Sequence, residues 1–241
     1  MSLLELRRVS KSRSRGSRRV EVLRDVSLEL GAGEFVAVWG LRYSGRTTLL
    51  RVAAGVDLPD SGAVYFDGTD LRTRRGATEL GRGVAYCHVR VGVPTGRAVT
   101  DTVRAGLLAR GVAAPNAYSS AHKALERVGI ERSGELLMGD LDGAEAMRVA
   151  IACALVLGPR VLVIDEPTKG VDILERDKIL LLVRSLANEG IAVLISDGDG
   201  SSLSDTDRSL TLADGELRGK ATPELGSLLQ LQHAAGKSTA A

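Results

Sequence analysis

A short glycine-containing loop between two apolar segments constrains the fold of this chain more than any other feature. The loop, GLRYSGRT, occupies residues 40–47. The apolar run FVAVW precedes it at residues 35–39, and residues 47–54 follow with helical periodicity. A strand, a glycine loop and a helix in this order form a phosphate-binding loop, in which backbone N–H groups and the positive helix end hold an anion. The sequence therefore predicts an α/β fold built around an anion site.

The loop matches the pattern G-x-x-x-x-G-K-[ST] at every fixed position except the lysine, where Arg46 stands. The glycines let successive N–H groups face a phosphate, and the hydroxyl of Thr47 is a candidate Mg²⁺ ligand. Arg46 keeps the positive charge, but its planar guanidinium is larger than an ammonium and is directed differently. Taken alone, the loop could also be an ordinary glycine-containing turn. The candidate nucleotide contacts of the loop are Gly40, Ser44, Gly45, Arg46, Thr47 and Thr48.

An acidic pair at the end of a second apolar strand supports the nucleotide site. The segment RVLVIDEPT, residues 160–168, ends its apolar run at Asp165 and Glu166. Asp165 is placed to hold Mg²⁺ through water, and Glu166 to polarise the water that attacks in phosphoryl transfer. An isolated Asp-Glu pair after a strand is usually a turn, but here it follows a phosphate loop. The two motifs together predict a site for ATP and Mg²⁺.

The remaining segments alternate between strand and helix patterns. Strands are predicted at residues 3–9, 20–22, 26–30, 35–39, 63–66, 83–87, 161–165 and 191–196. Residues 99–156 are largely helical, residues 172–188 form a helix that Gly190 ends, and a hairpin turns at Asp214 and Gly215. This alternation predicts one α/β domain over residues 1–241 with a mostly parallel core sheet. Residues 220–241 are expected to form a fraying tail.

Composition limits the possible environments of the chain. Its 241 residues are 44% apolar and 26% charged, as in an ordinary globular domain, and the formal net charge of +2 predicts no nucleic-acid partner. The longest apolar runs are too short to span a membrane, and the N-terminus lacks the features of a secretory signal, so we expect a cytosolic protein. Cys87 and Cys153 show no metal-ligand spacing and are predicted to be small core residues.

Two further segments attract attention without entering the predicted site. The basic stretch at residues 7–19 is predicted to be a solvated loop, with contact to phosphate or anionic lipid as the alternative. The letters GKST at residues 236–239 imitate a phosphate loop. Leu231 stands where that loop would need its first glycine, and no strand precedes it, so we reject this match.

The motifs together resemble an ABC transporter ATPase over about residues 3–219. The segment RVAIACALVLGPRVLVIDEPT is similar to the family's stretch between signature helix and acidic strand, while DLPDSGAVYFDGTDL and DEPTKGVD resemble macrolide exporters, lipoprotein-release ATPases and the cell-division ATPase. The resemblance implies the P-loop NTPase fold of ABC ATPases, with an N-terminal antiparallel β part. It also implies a helical subdomain over about residues 90–157.

Three positions that the resemblance assigns to nucleotide handling depart from the family's residues. The aromatic residue that stacks on adenine corresponds to Arg13, which can offer at most a cation–π contact. The glutamine that senses Mg²⁺ and couples to the membrane domain corresponds to His88. The switch histidine that contacts the γ-phosphate corresponds to Gly198, which has no side chain for that contact.

The family's signature LSGGQ corresponds to LDGAE at residues 141–145. In the family, this segment approaches the γ-phosphate of ATP held by a partner subunit. Asp142 and Glu145 would then set like charges against that phosphate, and Ala144 would add a side chain beside Gly143, where backbone must come close. We therefore expect this face to disfavour closure on ATP.

The departures point to a shared loss of function. Arg13, Arg46, His88, Asp142 and Gly198 belong to separate motifs of one site. The unchanged residues are Thr47, Asp165, Glu166 and the D-loop residue Asp172. Since the family works as head-to-tail dimers, the resemblance implies a heterodimer with a more competent ATPase, docked on membrane permease subunits. Residues 88–108 would face the permease, on the inner side of the membrane.

Three functions remain open at this point. The first is a degenerate, mainly structural or regulatory ATPase subunit of a transporter. The second is a working ATP-hydrolysing subunit, because the retained Glu166 is compatible with residual nucleotide binding or slow turnover. The third is an ABC-like interaction protein unconnected to transport. Transported substrate and direction belong to the permease.

Overall fold

The computed structural model describes residues 2–16, 18–88, 95–200 and 206–219. The strands are β1 (Ser2–Arg15), β2 (Arg18–Gly31), β3 (Phe35–Trp39), β4 (Ser61–Phe66), β5 (Thr69–Asp70), β6 (Val84–Cys87), β7 (Val161–Ile164), β8 (Ala192–Asp197), β9 (Arg208–Ala213) and β10 (Glu216–Gly219). The helices are α1 (Arg46–Ala53), α2 (Arg74–Gly83), α3 (Val99–Ala109), α4 (Ala114–Arg127), α5 (Gly143–Leu155) and α6 (Ile173–Asn188), with a 3₁₀ turn at Glu131–Ser133.

The central sheet has the strand order β10-β9-β3-β8-β7-β6 and is parallel except at β10. Its inner strands are apolar on both faces because both faces are covered. Phe35, Leu162 and Ile195 belong to the core beneath helices α3 to α6. Val36 and Val163, from the alternate positions, belong to the core shared with α1 and the N-terminal sheet. The predicted mostly parallel core sheet is confirmed.

The N-terminal sheet is antiparallel, with the order β2-β1-β4-β5. The prediction of a solvated loop at residues 7–19 is wrong, because this stretch continues β1 and enters β2. The strand pattern is hidden in the sequence because charged side chains fill the solvent face. Single apolar residues such as Val9 and Leu23 hold the inner face, and both are fully buried. Lys11 and Arg19 both pair with Asp60.

The helical part follows the prediction for residues 99–156 in outline, with α3, α4 and α5 packed together. The helix before Gly190 and the hairpin at Asp214 and Gly215 are also confirmed, and these turn residues have positive φ angles. Cys87 lies in the core and Cys153 packs against it. Helix α2 was not predicted. The predicted tail at residues 220–241 and the GKST segment lie outside the described residues.

The strand order positions the candidate site. In a parallel sheet, the carboxyl ends of all strands meet at one edge, where α/β proteins bind ligands. Here β8 lies between β3 and β7. The loop after β3, the acidic pair after β7 and Gly198 after β8 therefore converge at this edge. Among the described residues, no helix is long and apolar enough to cross a membrane.

Candidate functional site

The loop after β3 is closely fitted to its surroundings at both fixed glycines. A Cβ added to Gly40 would lie 2.5 Å from the carbonyl oxygen of Leu212 and 2.6 Å from Ser44 Oγ. Gly45 has φ 106°, and a Cβ there would lie 2.6 Å from the carbonyl oxygen of Val22. Backbone atoms cause both clashes, so neither position admits a side chain without a shift of the main chain. The fold thus requires glycine at both fixed positions of the sequence pattern, and their contact with a nucleotide stays a prediction.

The start of α1 presents hydrogen-bond donors that could hold an anion. Gly45 provides no side-chain cap, and no acidic residue lies in the first turn, so no described side chain satisfies the first N–H groups. Ser44 Oγ and Arg46 Nη1 are buried and have no hydrogen-bond partner among the described residues. Arg46 is only 8% exposed. These unsatisfied donors, beside a helix N-terminus, fit a phosphate group. Thr47 is exposed and Thr48 is buried.

Asp165 is fixed by two hydroxyl groups. Ser196 donates to its Oδ1 at 2.6 Å, and Tyr86 donates to its Oδ2 at 3.0 Å. Burial raises the pKa of Tyr86, and the negative charge and hydrogen bond of Asp165 raise it further, so Tyr86 remains a donor. The two partners orient the carboxylate at the strand edge.

The carboxylate of Glu166 is held between two cations. Arg46 Nη2 donates to Glu166 Oε1 at 2.9 Å, and Lys169 forms an ion pair with Glu166 Oε2. The Glu166 backbone has φ 50°, and its N–H donates to Ser196 Oγ at 2.8 Å. A positive φ is uncommon for a residue other than glycine and marks a constrained position. Glu166 is therefore engaged in the chain itself, on both carboxylate oxygens.

Gly198 lies against this ion pair. A Cβ at position 198 would be 3.0 Å from Arg46 Nη1, 3.1 Å from Arg46 Nη2 and 3.4 Å from Glu166 Oε1. The resemblance assigns the switch histidine to this position. The guanidinium of Arg46 borders the space that such a side chain would enter. The structure thus brings together Arg46, Glu166 and Gly198, which the sequence had placed in three separate motifs.

The signature segment forms the N-terminus of α5. The Asp142 carboxylate accepts a hydrogen bond from the Glu145 N–H at 2.8 Å, and Glu145 Oε2 accepts one from the Asp142 N–H at 3.2 Å. Ser133 Oγ donates to Glu145 Oε1 at 3.2 Å. This arrangement is a capping box, in which both acidic residues stabilise the helix start. The two charges have a role inside the chain that the sequence analysis missed.

The neighbouring signature residues correct one expectation. Ala144 is 5% exposed and belongs to the core, so its methyl group faces inward, not toward a partner's nucleotide. Gly143 is the position where backbone comes close, because a Cβ there would lie 2.6 Å from the carbonyl oxygen of Gly170. That contact joins the signature to the D-loop of the same chain. The prediction that Ala144 adds an obstructing side chain is wrong.

The other assigned residues lie around this centre. Arg13 on β1 forms an ion pair with Asp57, which Arg51 of α1 also binds at 2.7 Å. Hydrogen bonding from Arg51, and then from Arg13, lowers the pKa of Asp57. The ring of His88 lies 5.2 Å from that of Tyr86, next to Asp165. The assignments of Arg13 and His88 remain predictions.

Asp172, the D-loop residue, has an identifiable role within the chain. Its carboxylate accepts a hydrogen bond from the Leu174 N–H at 2.9 Å and so caps the N-terminus of α6. An Asp at this position of a helix commonly contributes about 1 kcal/mol to stability. Retention of Asp172 is therefore explained by the fold and carries little information about catalysis.

The residues present are compatible with Mg²⁺. In the described part of the chain, no group of three or more His, Cys, Asp or Glu side chains could hold a metal. Mg²⁺ at phosphate sites usually needs only one or two protein oxygens, with phosphate oxygens and water completing the octahedron. Thr47 and Asp165 can supply those oxygens. A dedicated protein cage is not required.

Three residues that shape the site escaped the sequence analysis. Ser196 and Tyr86 hold Asp165, and Lys169 binds Glu166. Lys169 stands three residues after Glu166, a spacing that can place two side chains together at a turn, so this signal was available. The partners from β6 and β8 depend on strand order and had no local signal.

Comparison with known proteins connects this geometry to one family. The sequence model for the ABC transporter family matches residues 23–169. The lipoprotein-releasing system ATP-binding protein LolD of Syntrophotalea carbinolica is 35% identical over 226 residues, covering 90% of this chain and 98% of that protein. The macrolide export ATP-binding/permease protein MacB 1/2 of Paracoccus denitrificans is 33% identical, covering 89% of this chain and 33% of that protein.

Solved structures give the same result. A dimeric bacterial ABC transporter cassette superposes with a TM-score of 0.80 at 26% identity, covering 89% of this chain and 96% of that chain. The dimeric post-hydrolysis state of an ATP-binding cassette, bound to ADP and Pi, also gives 0.80, at 25% identity and with the same coverage. Both neighbours share the architecture described above.

Proposed function

The chain belongs to the ABC transporter ATP-binding family, and from this membership we propose that it is a degenerate nucleotide-binding subunit with weak or no hydrolysis of its own. It binds ATP and Mg²⁺ at the loop after β3. Dimer closure with a more competent ATPase subunit then transmits nucleotide binding to permease subunits. Within the subunit, the loop glycines and α1 hold phosphate, and Thr47 and Asp165 hold the metal ion, which would neutralise phosphate charge when bound.

The engagement of Glu166 carries this proposal. A general base must have a free carboxylate oxygen within reach of the attacking water. Both oxygens of Glu166 accept from cations of the same chain, Arg46 and Lys169. The Arg46 partner is buried, so solvent screens this ion pair less than a surface pair. This arrangement supports phosphate binding without efficient activation of water.

The signature end supports a partner of a different kind. The carboxylate of Asp142 already places a negative charge at the N-terminus of α5. The γ-phosphate of a partner's ATP would approach the same helix end. Two copies of this chain would present both a restrained Glu166 and an acidic signature at each shared site. A heterodimer leaves one intact phosphate loop and one intact signature to the partner. We therefore favour a second, distinct ATPase subunit.

The relatives support a place at a membrane. LolD is described as the ATP-binding protein of a lipoprotein-releasing system, and MacB 1/2 combines ATP-binding and permease parts in one chain. The present chain is proposed to act as a separate subunit on the cytoplasmic face, attached through its permease. Residues 95–108, including exposed Leu108 on α3, belong to the surface proposed to meet it.

The test uses the assembled complex. The chain is co-expressed with the permease and ATPase subunits that co-purify with it, and ATP hydrolysis is measured after replacing the general-base glutamate in one ATPase at a time. We expect the replacement in the partner to abolish turnover, while Glu166→Gln leaves most of it. Loss of turnover in Glu166→Gln alone contradicts the proposal.

A working ATPase is the second candidate, because Asp165 is oriented by two hydroxyl groups and the loop keeps its fixed glycines and Thr47. In that case ATP binding would release Glu166 from Arg46, and both ATPases of a complex would hydrolyse ATP. The same experiment separates the two functions, since Glu166→Gln then removes roughly half of the turnover or more.

A further inference from the structure

We propose that Arg46, Glu166 and Gly198 form a latch that closes the loop at the position of a third phosphate, so that this chain's own site prefers a nucleoside diphosphate to a triphosphate. The proposal rests on the proposed function, since it assumes that the loop binds nucleotide. It specifies which nucleotide the loop holds. In this latch, the two departures from the family pattern, Arg46 and Gly198, depend on each other, and Glu166 is their unchanged partner.

The guanidinium of Arg46 limits the space at position 198. Arg46 Nη1 and Nη2 lie only 3.0 and 3.1 Å from where the Cβ of residue 198 would stand. These distances are tighter than most carbon contacts, so a side chain at position 198 would require the end of Arg46 to shift by a few tenths of an ångström. Gly198 thus allows Arg46 to reach Glu166.

Arg46 and Glu166 meet across the edge of the sheet. Arg46 is the first residue of α1, and Glu166 follows β7, on the far side of β8. The hydrogen bond between Nη2 and Oε1, at 2.9 Å, joins the loop to the acidic strand across this edge. In phosphoryl transfer, the terminal phosphate lies between the loop and the water that the carboxylate orients. The guanidinium therefore occupies the region that the third phosphate needs.

A third phosphate would also affect the charges of Arg46 and Glu166. A third phosphate must either take Arg46 away from Glu166 or lie beside an intact, neutralised pair. The first choice leaves a half-buried carboxylate next to a strongly negative phosphate, which is unfavourable. A diphosphate requires neither change. Its phosphates need only the loop amides, Ser44 and the unpaired Arg46 Nη1.

The buried, unpaired Nη1 is the independent sign of a ligand. Arg46 is 92% buried by its 8% exposure, and Nη1 lacks a partner in the described part of the chain, although a buried donor without a hydrogen bond is costly. With Nη2 on Glu166, Nη1 remains available to an anion in the loop. One guanidinium can therefore close the latch and contact a bound diphosphate at the same time.

The experiment measures binding to the isolated full chain by calorimetry, with Mg²⁺ and either ADP or the non-hydrolysable triphosphate AMP-PNP. Gly198→Ala adds only a Cβ in close contact with the Arg46 guanidinium and leaves the charge unchanged. Glu166→Gln removes the anionic partner. Gly81→Ala in α2 is the matched control, because a Cβ there meets nothing within 4 Å.

We expect the unmodified chain to bind ADP more tightly than AMP-PNP. Gly198→Ala and Glu166→Gln should each move the ratio of the two affinities about tenfold toward AMP-PNP, the effect of losing one charge-assisted hydrogen bond. Gly81→Ala should leave the ratio unchanged. This pattern supports the latch.

The contrary outcomes are distinct. Tighter binding of AMP-PNP by the unmodified chain overturns the latch but leaves the proposed nucleotide-binding function standing. A preference for ADP that Gly198→Ala does not alter also overturns it, since the preference then has another cause. Absence of binding by both nucleotides overturns the latch and the proposed function together.

Discussion

The N-termini of α1 and α5 meet their unsatisfied N–H groups in opposite ways. Helix α1 follows Gly45 with no cap from a described side chain and no acidic residue in its first turn. Helix α5 follows Asp142 with a complete capping box that includes Glu145. Both ends carry the same positive partial charge. One is left open for an external anion, while the other is already satisfied by carboxylates of the chain.

From this difference we expect the departures from the family pattern to have unequal effects. At α1, the glycine cradle is retained and the changes lie beyond it, at Arg46 and Gly198. At α5, the acidic residues use the N–H group that would otherwise be free for a partner's phosphate. Under the proposed function, the chain is expected to hold a nucleotide on its own loop. We expect its contribution to a partner's site to be reduced.

The largest expected effect is on hydrolysis, which tests whether the open end of α1 supports catalysis. The isolated chain should release phosphate from ATP no faster than its Glu166→Gln variant, because Arg46 and Lys169 already hold that carboxylate. The chain already lacks transition-state contacts that the family pattern provides, and the loss of one such contact typically lowers the rate about a hundredfold. The measurement is phosphate release with Mg²⁺-ATP. Asp177→Asn, at an exposed position of α6, controls for the change in charge.

ATP turnover by the unmodified chain that persists in Asp177→Asn and disappears in Glu166→Gln would contradict this expectation. It would mean that the ion pair opens readily and that Glu166 acts as a base. The two helix ends would then differ in occupancy without differing in catalytic consequence.

The second prediction sharpens the role of the open end. Thr47→Ala should weaken Mg²⁺-dependent ADP binding about tenfold, since it removes a hydroxyl ligand of the metal ion. Thr47→Ser keeps that hydroxyl and should bind as the unmodified chain does. Calorimetry with and without EDTA measures both. Equal affinity in Thr47→Ala, or no effect of EDTA, would show that phosphate binding at α1 proceeds without the metal.

The third prediction tests the capped end by removing its charge while keeping its cap. The double variant Asp142→Ser with Glu145→Gln retains the S-x-x-Q form of the capping box. Ala144 is left in place because its methyl group is buried. In the assembled complex, ATP-dependent cross-linking between ATPase subunits should rise about fivefold, the upper range for an exposed charge pair.

Glu126→Gln on α4, an exposed site away from the signature, is the matched control for that double variant. If cross-linking and ATPase rate stay unchanged or fall, Asp142 does not face a partner's γ-phosphate. The head-to-tail heterodimer proposed above would then be wrong, or would not close at that site.

The smallest expected effect is on stability. Asp142→Ala removes the side-chain acceptor at the start of α5 and should lower the free energy of unfolding by about 0.5–1 kcal/mol. Asp142→Ser should lose less, because serine can also cap. Urea denaturation monitored by circular dichroism measures both variants. An Asp142→Ala variant as stable as the unmodified chain would show that the capping box contributes little.

The fold was largely predictable because its core strands are continuous apolar runs. The runs at β3, β7 and β8 are buried on both faces, a pattern that remains visible without any structure. The N-terminal hairpin was mispredicted because charged residues dominate its solvent face. Helix α2 was missed because RRGATELGRG contains three glycines and few apolar residues. The predicted boundaries of strands and helices were wrong in segments where only one residue in several is apolar and buried.

The structure brings predicted residues of the candidate site together at one sheet edge, but the contacts between them were not predictable. The fixed glycines, Thr47 and the acidic pair follow from the motif. The capping box at Asp142 and Glu145 was also readable, since residues three apart at a helix start meet through local geometry alone. That signal was overlooked because the segment was compared with the family signature and not with helix-capping patterns.

The sequence by itself determined the parallel sheet, the phosphate loop and the family, because each depends on residues close together along the chain. Only the tertiary structure decided that Arg46 binds Glu166, from which it is separated by 120 positions. That contact forms at the edge where β8 lies between β3 and β7, with Gly198 against both side chains. Strand order is set by packing over the whole domain, so no local pattern could specify which charge would meet which.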